Sequence, residues 1–71
     1  MIAYHRTALA QQLVQAVQVM ATYHRHGIAA ARKARAALPE ADKRLLLMHA
    51  LVAAMQGNLR EAWELQRLAR I

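Results

Sequence analysis

The chain contains no cysteine, so neither a disulfide nor a thiolate metal site is open to it. Serine is absent as well, which removes the commonest hydroxyl nucleophile. Acids are scarce: Glu40, Asp42, Glu61 and Glu64 are all of them, and residues 1–38 hold none. Spread as helix-terminal and ion-pair residues, they supply no acid–base couple for hydrolysis. No glycine-rich loop is present to cradle a phosphate. Four histidines, His5, His24, His26 and His49, are the only other candidates for chemistry. No two stand at i, i+4, and no acid lies near them in sequence to complete a metal site. The chain therefore reads as a non-enzyme with no cofactor, no metal and no small-molecule substrate.

Glycine and proline are nearly missing too, with two of the first and one of the second. Alternation of β-branched or aromatic residues does not occur, and this composition predicts an all-α protein. Long membrane-type runs are also lacking. Ala8 to Tyr23 carries no formal charge, but Gln11, Gln12, Gln15 and Gln18 interrupt it. The stretch is too short and too polar for a membrane span or a signal-peptide core. A cytoplasmic bacterial protein is the default expectation.

What remains is a single domain, residues 1–71, of which 58% is hydrophobic and much of that alanine. At this length one core supplies only a few kcal/mol, and small proteins draw further stability from disulfides, metals or partners. With the first two excluded, burial against another chain is the expected source.

The clearest local signal runs from Leu45 to Leu68. Leu45, Met48, Leu51, Val52 and Met55 recur at three- and four-residue steps and define one helix face, which Leu46 and Leu47 widen. Gly57 can take the left-handed conformation that ends a helix. Asn58 follows as an N-cap, with Glu61 placed to reach back in a capping box. Leu59, Ala62, Leu65, Leu68 and Ala69 then share a side of the next helix. Two caps this close predict an antiparallel hairpin of helix 3 (about Ala41–Gln56) and helix 4 (Leu59 to about Arg70).

Upstream, helix 1 is expected to start between Ala3 and Ala8, with Thr7 as a possible cap. Leu9, Leu13, Ala16, Val17 and Met20 form one face, and Gln11, Gln15, Gln18 and Thr22 the other. His26-Gly27 marks the first turn. Helix 2 should run from Ile28 to Leu38, where Pro39 disfavours helical geometry in the residue before it. Glu40 and Asp42 suit the start of helix 3, where carboxylates complement the helix dipole. The turn glycines, Gly27 and Gly57, are 30 residues apart, and a shift of 31 aligns Val14 with Leu45, Val17 with Met48, Met20 with Leu51 and Ala31 with Ala62. Two helix–turn–helix units in tandem account for this period.

The segment Met55-Gln56-Gly57-Asn58-Leu59-Arg60-Glu61-Ala62-Trp63-Glu64-Leu65, with Ala69 beyond, resembles the central part of a tetratricopeptide repeat. Gly57, Leu59, Ala62 and Ala69 stand where such repeats carry the turn glycine, a large apolar residue and two small residues. The resemblance covers about Ala41 to Ile71. The aromatic residue and glycine usual in the first helix of these repeats are absent from both units. The resemblance implies a two-hairpin fold and protein or peptide binding, as in repeat scaffolds and small helical chaperones. Since at least three repeats are needed for independent stability, it also implies a protein partner or a homo-oligomer.

Two surfaces follow as candidates. Leu9, Leu13, Val17 and Met20 on helix 1, with Trp63 as a core flank or an interface anchor, are the expected protein-binding residues. The alternative rests on charge: the net +6 is uneven, and residues 1–38 carry five basic side chains against no acid. A basic half attracts anionic partners or is simply a solvated face. Arg32, Lys33 and Arg35, with Lys43 and Arg44 across the Pro39 turn, are the nucleic-acid candidates. Alanine-rich helix 2 offers few side chains for base reading, and no aromatic platform for single strands is evident, so such binding would be non-specific.

Overall fold

The computed structural model describes the backbone of residues 2–70 and the side chains of residues 8–70. Four helices follow one another, α1 (Ile2–His26), α2 (Ile28–Ala37), α3 (Lys43–Met55) and α4 (Leu59–Ala69), and no strand occurs among the described residues. The chain is a small all-α bundle. Helix α1 begins at Ile2 rather than between Ala3 and Ala8. Thr7 thus lies inside the helix instead of capping it, and its side chain, like that of His5, lies outside the described residues.

Each turn has an identifiable cause. Gly27 alone separates α1 from α2: its N–H donates to the Tyr23 carbonyl at 2.9 Å, and its own carbonyl accepts from Ala31 N–H at 3.1 Å. Its φ of 88° is one that side chains with a Cβ rarely adopt. The second hairpin turns on a Schellman motif. Asn58 N–H donates to the Ala53 carbonyl (2.9 Å) and Gly57 N–H to that of Ala54 (3.0 Å), with Gly57 at φ 81°. Asn58 then caps α4, its Oδ1 accepting from Glu61 N–H at 3.3 Å. The expected capping box is modified. Because Asn58 N–H is already taken by Ala53, the Glu61 carboxylate accepts instead from Asn58 Nδ2 at 2.7 Å.

Helix α2 stops at Ala37, one residue short of the expected end, with Leu38 already at φ −123°, ψ 67° ahead of Pro39. Helix α3 starts at Lys43, later than Ala41, because Asp42 is its N-cap and accepts from Arg44 N–H at 2.8 Å. Asp42 N–H in turn donates to the Gln12 carbonyl (3.1 Å), fastening the α2–α3 loop to the middle of α1.

The helices form two antiparallel hairpins, α1 with α2 and α3 with α4. The hairpins meet through α1 against α3 and α2 against α4, with no packing of α1 on α4 backbone or of α2 on α3. The result is two layers, α1/α3 and α2/α4, and the Leu38–Asp42 loop crosses diagonally between them.

Burial corrects the faces read from periodicity. The inner positions are Ala16, Val19 and Met20 on α1, Ala31 and Arg35 on α2, Leu46, Ala50 and Ala53 on α3, and Leu65, Leu68 and Ala69 on α4. Leu51, Val52, Met48 and Met55, expected on one apolar face of helix 3, point outward, as does Leu59. A shift of 30, the glycine-to-glycine spacing, superposes several buried positions, though it also sets buried Val19 against exposed His49. Under that shift Ala16 matches Leu46, Met20 matches Ala50 and Arg35 matches Leu65, all buried. A shift of 31 instead pairs buried Met20 with exposed Leu51.

Candidate binding surfaces

The core is built largely of alanine. Among the described residues eleven hydrophobic side chains are buried, six of them alanine, and only Val19, Met20, Leu46, Leu65 and Leu68 of these are large. Outside, by contrast, eleven large apolar side chains are exposed, from Leu9 to Trp63. Alanine lets the helix backbones approach closely but buries little area. The bulkier residues, on wider faces than one neighbour can cover, are left facing outward.

These exposed residues are concentrated on one layer. On α1, Leu9, Leu13 and Val17 recur every four residues and are 44%, 38% and 55% exposed. On α3, Leu47, Met48, Leu51, Val52 and Met55 are exposed. Neither Ala8–Tyr23 nor Leu45–Met55 contains a single Asp, Glu, Lys or Arg. Leu47, Ala50, Leu51 and Ala54 of α3, with Ala62 and Gln66 of α4, also line a shallow apolar groove of about 260 Å³. Four of the five expected interface residues, Leu9, Leu13, Val17 and Trp63, are therefore at the surface. Met20 is a correction. It is 5% exposed and belongs to the core, because α1 turns its 16–20–23 edge inward and leaves its 9–13–17 edge free.

Exposed cations stand on both layers: Arg25, Lys43 and Arg44 on the α1/α3 side, and a larger group on the α2/α4 side. Arg32 and Lys33 of α2, Arg60 and Arg67 of α4 and Arg70, the C-cap of α4, are all exposed. The five-residue basic cluster expected from sequence does not assemble. Arg35 is 7% exposed, and its Nη1 donates to the carbonyls of Ala41 (3.2 Å), Pro39 (3.3 Å) and Leu38 (3.5 Å), so it organises the loop and faces no ligand. Arg44 is engaged by Asp42, with its Nε 3.2 Å from Oδ1 and its Nη2 3.3 Å from Oδ2. Asp42 is held below the usual carboxylate range mainly by that Arg44 side chain, against the opposing effect of burial. Lys43 stays exposed at the start of α3.

In place of that cluster the fold makes a basic cleft of about 440 Å³ lined by Arg32, Trp63, Arg67 and Arg70. Trp63 is 61% exposed, so the aromatic surface that seemed absent stands beside three guanidiniums. The signal was in the sequence: Trp63, Arg67 and Arg70 occupy i, i+4 and i+7 of one helix, a single face.

A second cleft, about 390 Å³, lies where the end of α1 meets the start of α4 and is lined by residues that include Tyr23, His24, Asn58, Glu61 and Glu64. The Tyr23 hydroxyl donates to Glu64 Oε1 at 3.0 Å. His24 Nε2 lies 3.8 Å from Glu61 Oε1, and Arg60 Nε lies 3.6 Å from Glu64 Oε1. Burial first, and then the bond to Glu64, push the Tyr23 phenol up to about 12. Folding thus brings to His24 an acid that sequence proximity did not offer. Both carboxylates are tied to partners from the other hairpin, and the network acts as a clasp between α1 and α4. Among the described residues no three His, Cys, Asp or Glu side chains converge as a metal site would require. No described helix is long and apolar enough to cross a membrane.

Comparison of the chain with protein-family models, with curated proteins and with solved structures gives no match.

Proposed function

We propose that the chain is a small helical protein–protein interaction subunit that self-associates through the outer side of its α1/α3 layer. The observation that carries this reading is the inverted distribution of bulk, with more large apolar side chains exposed than buried. Apolar surface of this extent on a small protein marks an interaction site. Charge leaves room for a second copy as the first partner. Two chains of net charge +6 repel, but Ala8–Tyr23 of α1 and Leu45–Met55 of α3 carry no Asp, Glu, Lys or Arg, so copies meeting over those stretches bring no cation into the contact. At physiological salt charges more than about 8 Å apart are largely screened. The resemblance of the Gly57, Leu59, Ala62 and Ala69 pattern to a tetratricopeptide repeat belongs to the same proposal, since in repeat arrays neighbouring units cover faces of this kind. No catalytic step is assigned to the chain.

Light scattering at micromolar concentration tests this. An oligomer is expected, and Leu13→Asp with Val17→Asp should yield a helical monomer. A wild-type monomer that keeps its cooperative fold at that concentration, with the stripe in water, overturns self-association.

A further inference from the structure

We infer that the cleft between α2 and α4 binds single-stranded nucleic acid, with phosphates held by Arg32, Arg67 and Arg70 and a base stacked on Trp63. The inference concerns the α2/α4 layer and does not depend on what covers α1/α3.

The argument begins with composition of the lining. The described residues lining it are three arginines and one tryptophan, with no carboxylate among them. Arginine presents a planar fork of donors that matches phosphate oxygens two at a time and is more weakly hydrated than lysine. Three such groups around one opening, without an acid to pair them, leave positive charge uncompensated. Arg60, by comparison, has Glu64 within 3.6 Å.

The tryptophan decides the class of anion. At 61% exposed, the Trp63 indole is far from the burial usual for this residue. Inorganic phosphate or an acidic peptide would use the guanidiniums and leave the indole idle. Bases of a duplex are stacked on one another and cannot lie on it. An unpaired base can, and aromatic stacking beside a basic track is how single strands are held without sequence preference. The cleft is an open surface depression of about 440 Å³. It suits one or two nucleotides, so affinity along a strand should come from repetition across associated copies or from the neighbouring Lys33.

Trp63 is the only tryptophan, so its fluorescence reports this cleft alone. The full chain is titrated with an oligothymidylate of about 12 nucleotides, within the range of single-strand site sizes, with a duplex of equal length, with thymidine monophosphate and with polyglutamate. Saturable quenching by the oligothymidylate is expected, with a logarithmic salt slope near −2, as about three released counterions on a single strand give. Arg67→Ala and Arg32→Ala should each weaken binding and make that slope shallower. Trp63→Leu, followed by anisotropy of a labelled strand, should weaken binding about tenfold while leaving the slope in place. Equal affinity for the duplex, an unchanged affinity in Trp63→Leu, or no binding at low salt overturns the proposal. Tighter binding of polyglutamate transfers the cleft to an acidic protein and overturns it too, and equal binding of the mononucleotide does the same in favour of a free nucleotide. The substituted residues are exposed, so circular dichroism should show the variants folded.

Discussion

Arg35 and Ala41 are joined across the diagonal crossing of the chain: the guanidinium Nη1 donates to the Ala41 carbonyl at 3.2 Å. The same nitrogen reaches the carbonyls of Pro39 and Leu38. The Leu38 carbonyl also accepts from Ala41 N–H at 3.0 Å, but those of Pro39 and Ala41 lie outside the helical ladders, and an unpaired buried carbonyl is costly. A buried cation that gathers them lets the loop lie against the core without a glycine-rich or longer connection.

Arg35→Ala should therefore destabilise the protein more than loss of any other cation. Removing a charged donor from buried carbonyls costs about 2 kcal/mol, which in a domain of this size lowers Tm by roughly 10 °C. Arg32→Ala, on the same helix but exposed, should change stability by no more than about 0.5 kcal/mol. Thermal melts of the two variants side by side check this, and equal losses would remove Arg35 from its loop-organising role.

Asp42 links the same loop to the next helix, and its titration should appear in the acid limb of stability. Its folded carboxyl ionises below the ordinary value of 3.8, chiefly because Arg44 bonds to it. Folding therefore favours the ionised form. The stabilisation is complete above the unfolded value near 3.8 and is lost as pH falls through the lower folded one. Asp42→Asn keeps the cap to Arg44 N–H and should flatten that limb, whereas Asp42→Ala should lose about 1 kcal/mol at neutral pH as well. Urea melts between about pH 2 and pH 7 measure both effects.

How far the fold could be read from the chain depended on whether each cause was local. Gly57, Asn58 and Glu61 carry their turn within five residues, and the second hairpin was legible in nearly its observed bounds. The four-helix class followed from the lack of glycine, proline and strand patterning. Helix orientation did not follow. Helix α3 is apolar almost all round, so periodicity could not say whether Leu46 or Leu47 faces inward, and the alanines that permit close approach decided it. Arg35 looked like Arg32 because nothing local distinguishes a cation that will meet carbonyls three to six residues ahead. Tyr23 and Glu64, 41 residues apart, meet only through the stacking of the hairpins. On the candidate cleft, Trp63 stands out in the sequence as a core flank or interface anchor, whereas Arg32 comes to Trp63, Arg67 and Arg70 only through the packing of α2 on α4.

The Tyr23–Glu64 clasp gives an alkaline counterpart to Asp42. The phenol is pushed up to about 12 in the folded chain against an ordinary 10.0. Folding favours the protonated form, so the contribution is whole below pH 10 and declines as pH rises toward 12. Tyr23→Phe keeps the ring, should cost about 1 kcal/mol at neutral pH for the lost hydrogen bond, and should leave stability less sensitive to alkali. Absorbance titration in a Tyr4→Phe background isolates the Tyr23 phenol, and an ordinary midpoint near 10 there would show the clasp open in solution.

Val17 and Met20 sit three residues apart on α1 and should behave as opposites, since Val17 is 55% exposed and Met20 5%. Met20→Ala opens a cavity among Ala16, Val19 and their core neighbours, and should cost about 2–4 kcal/mol, enough to unfold much of so small a protein. Val17→Ala removes methyl groups from the surface and should leave the isolated fold within about 0.5 kcal/mol of the parent. It should still lower the apparent melting temperature if the stripe is covered in an assembly, and the loss should then shrink on dilution. A concentration series of melts for both variants separates the two roles: Met20→Ala is weak at every concentration, and Val17→Ala only where the parent is associated. A Val17→Ala deficit that ignores concentration would place Val17 in the fold of the single chain and leave the α1 stripe without a partner.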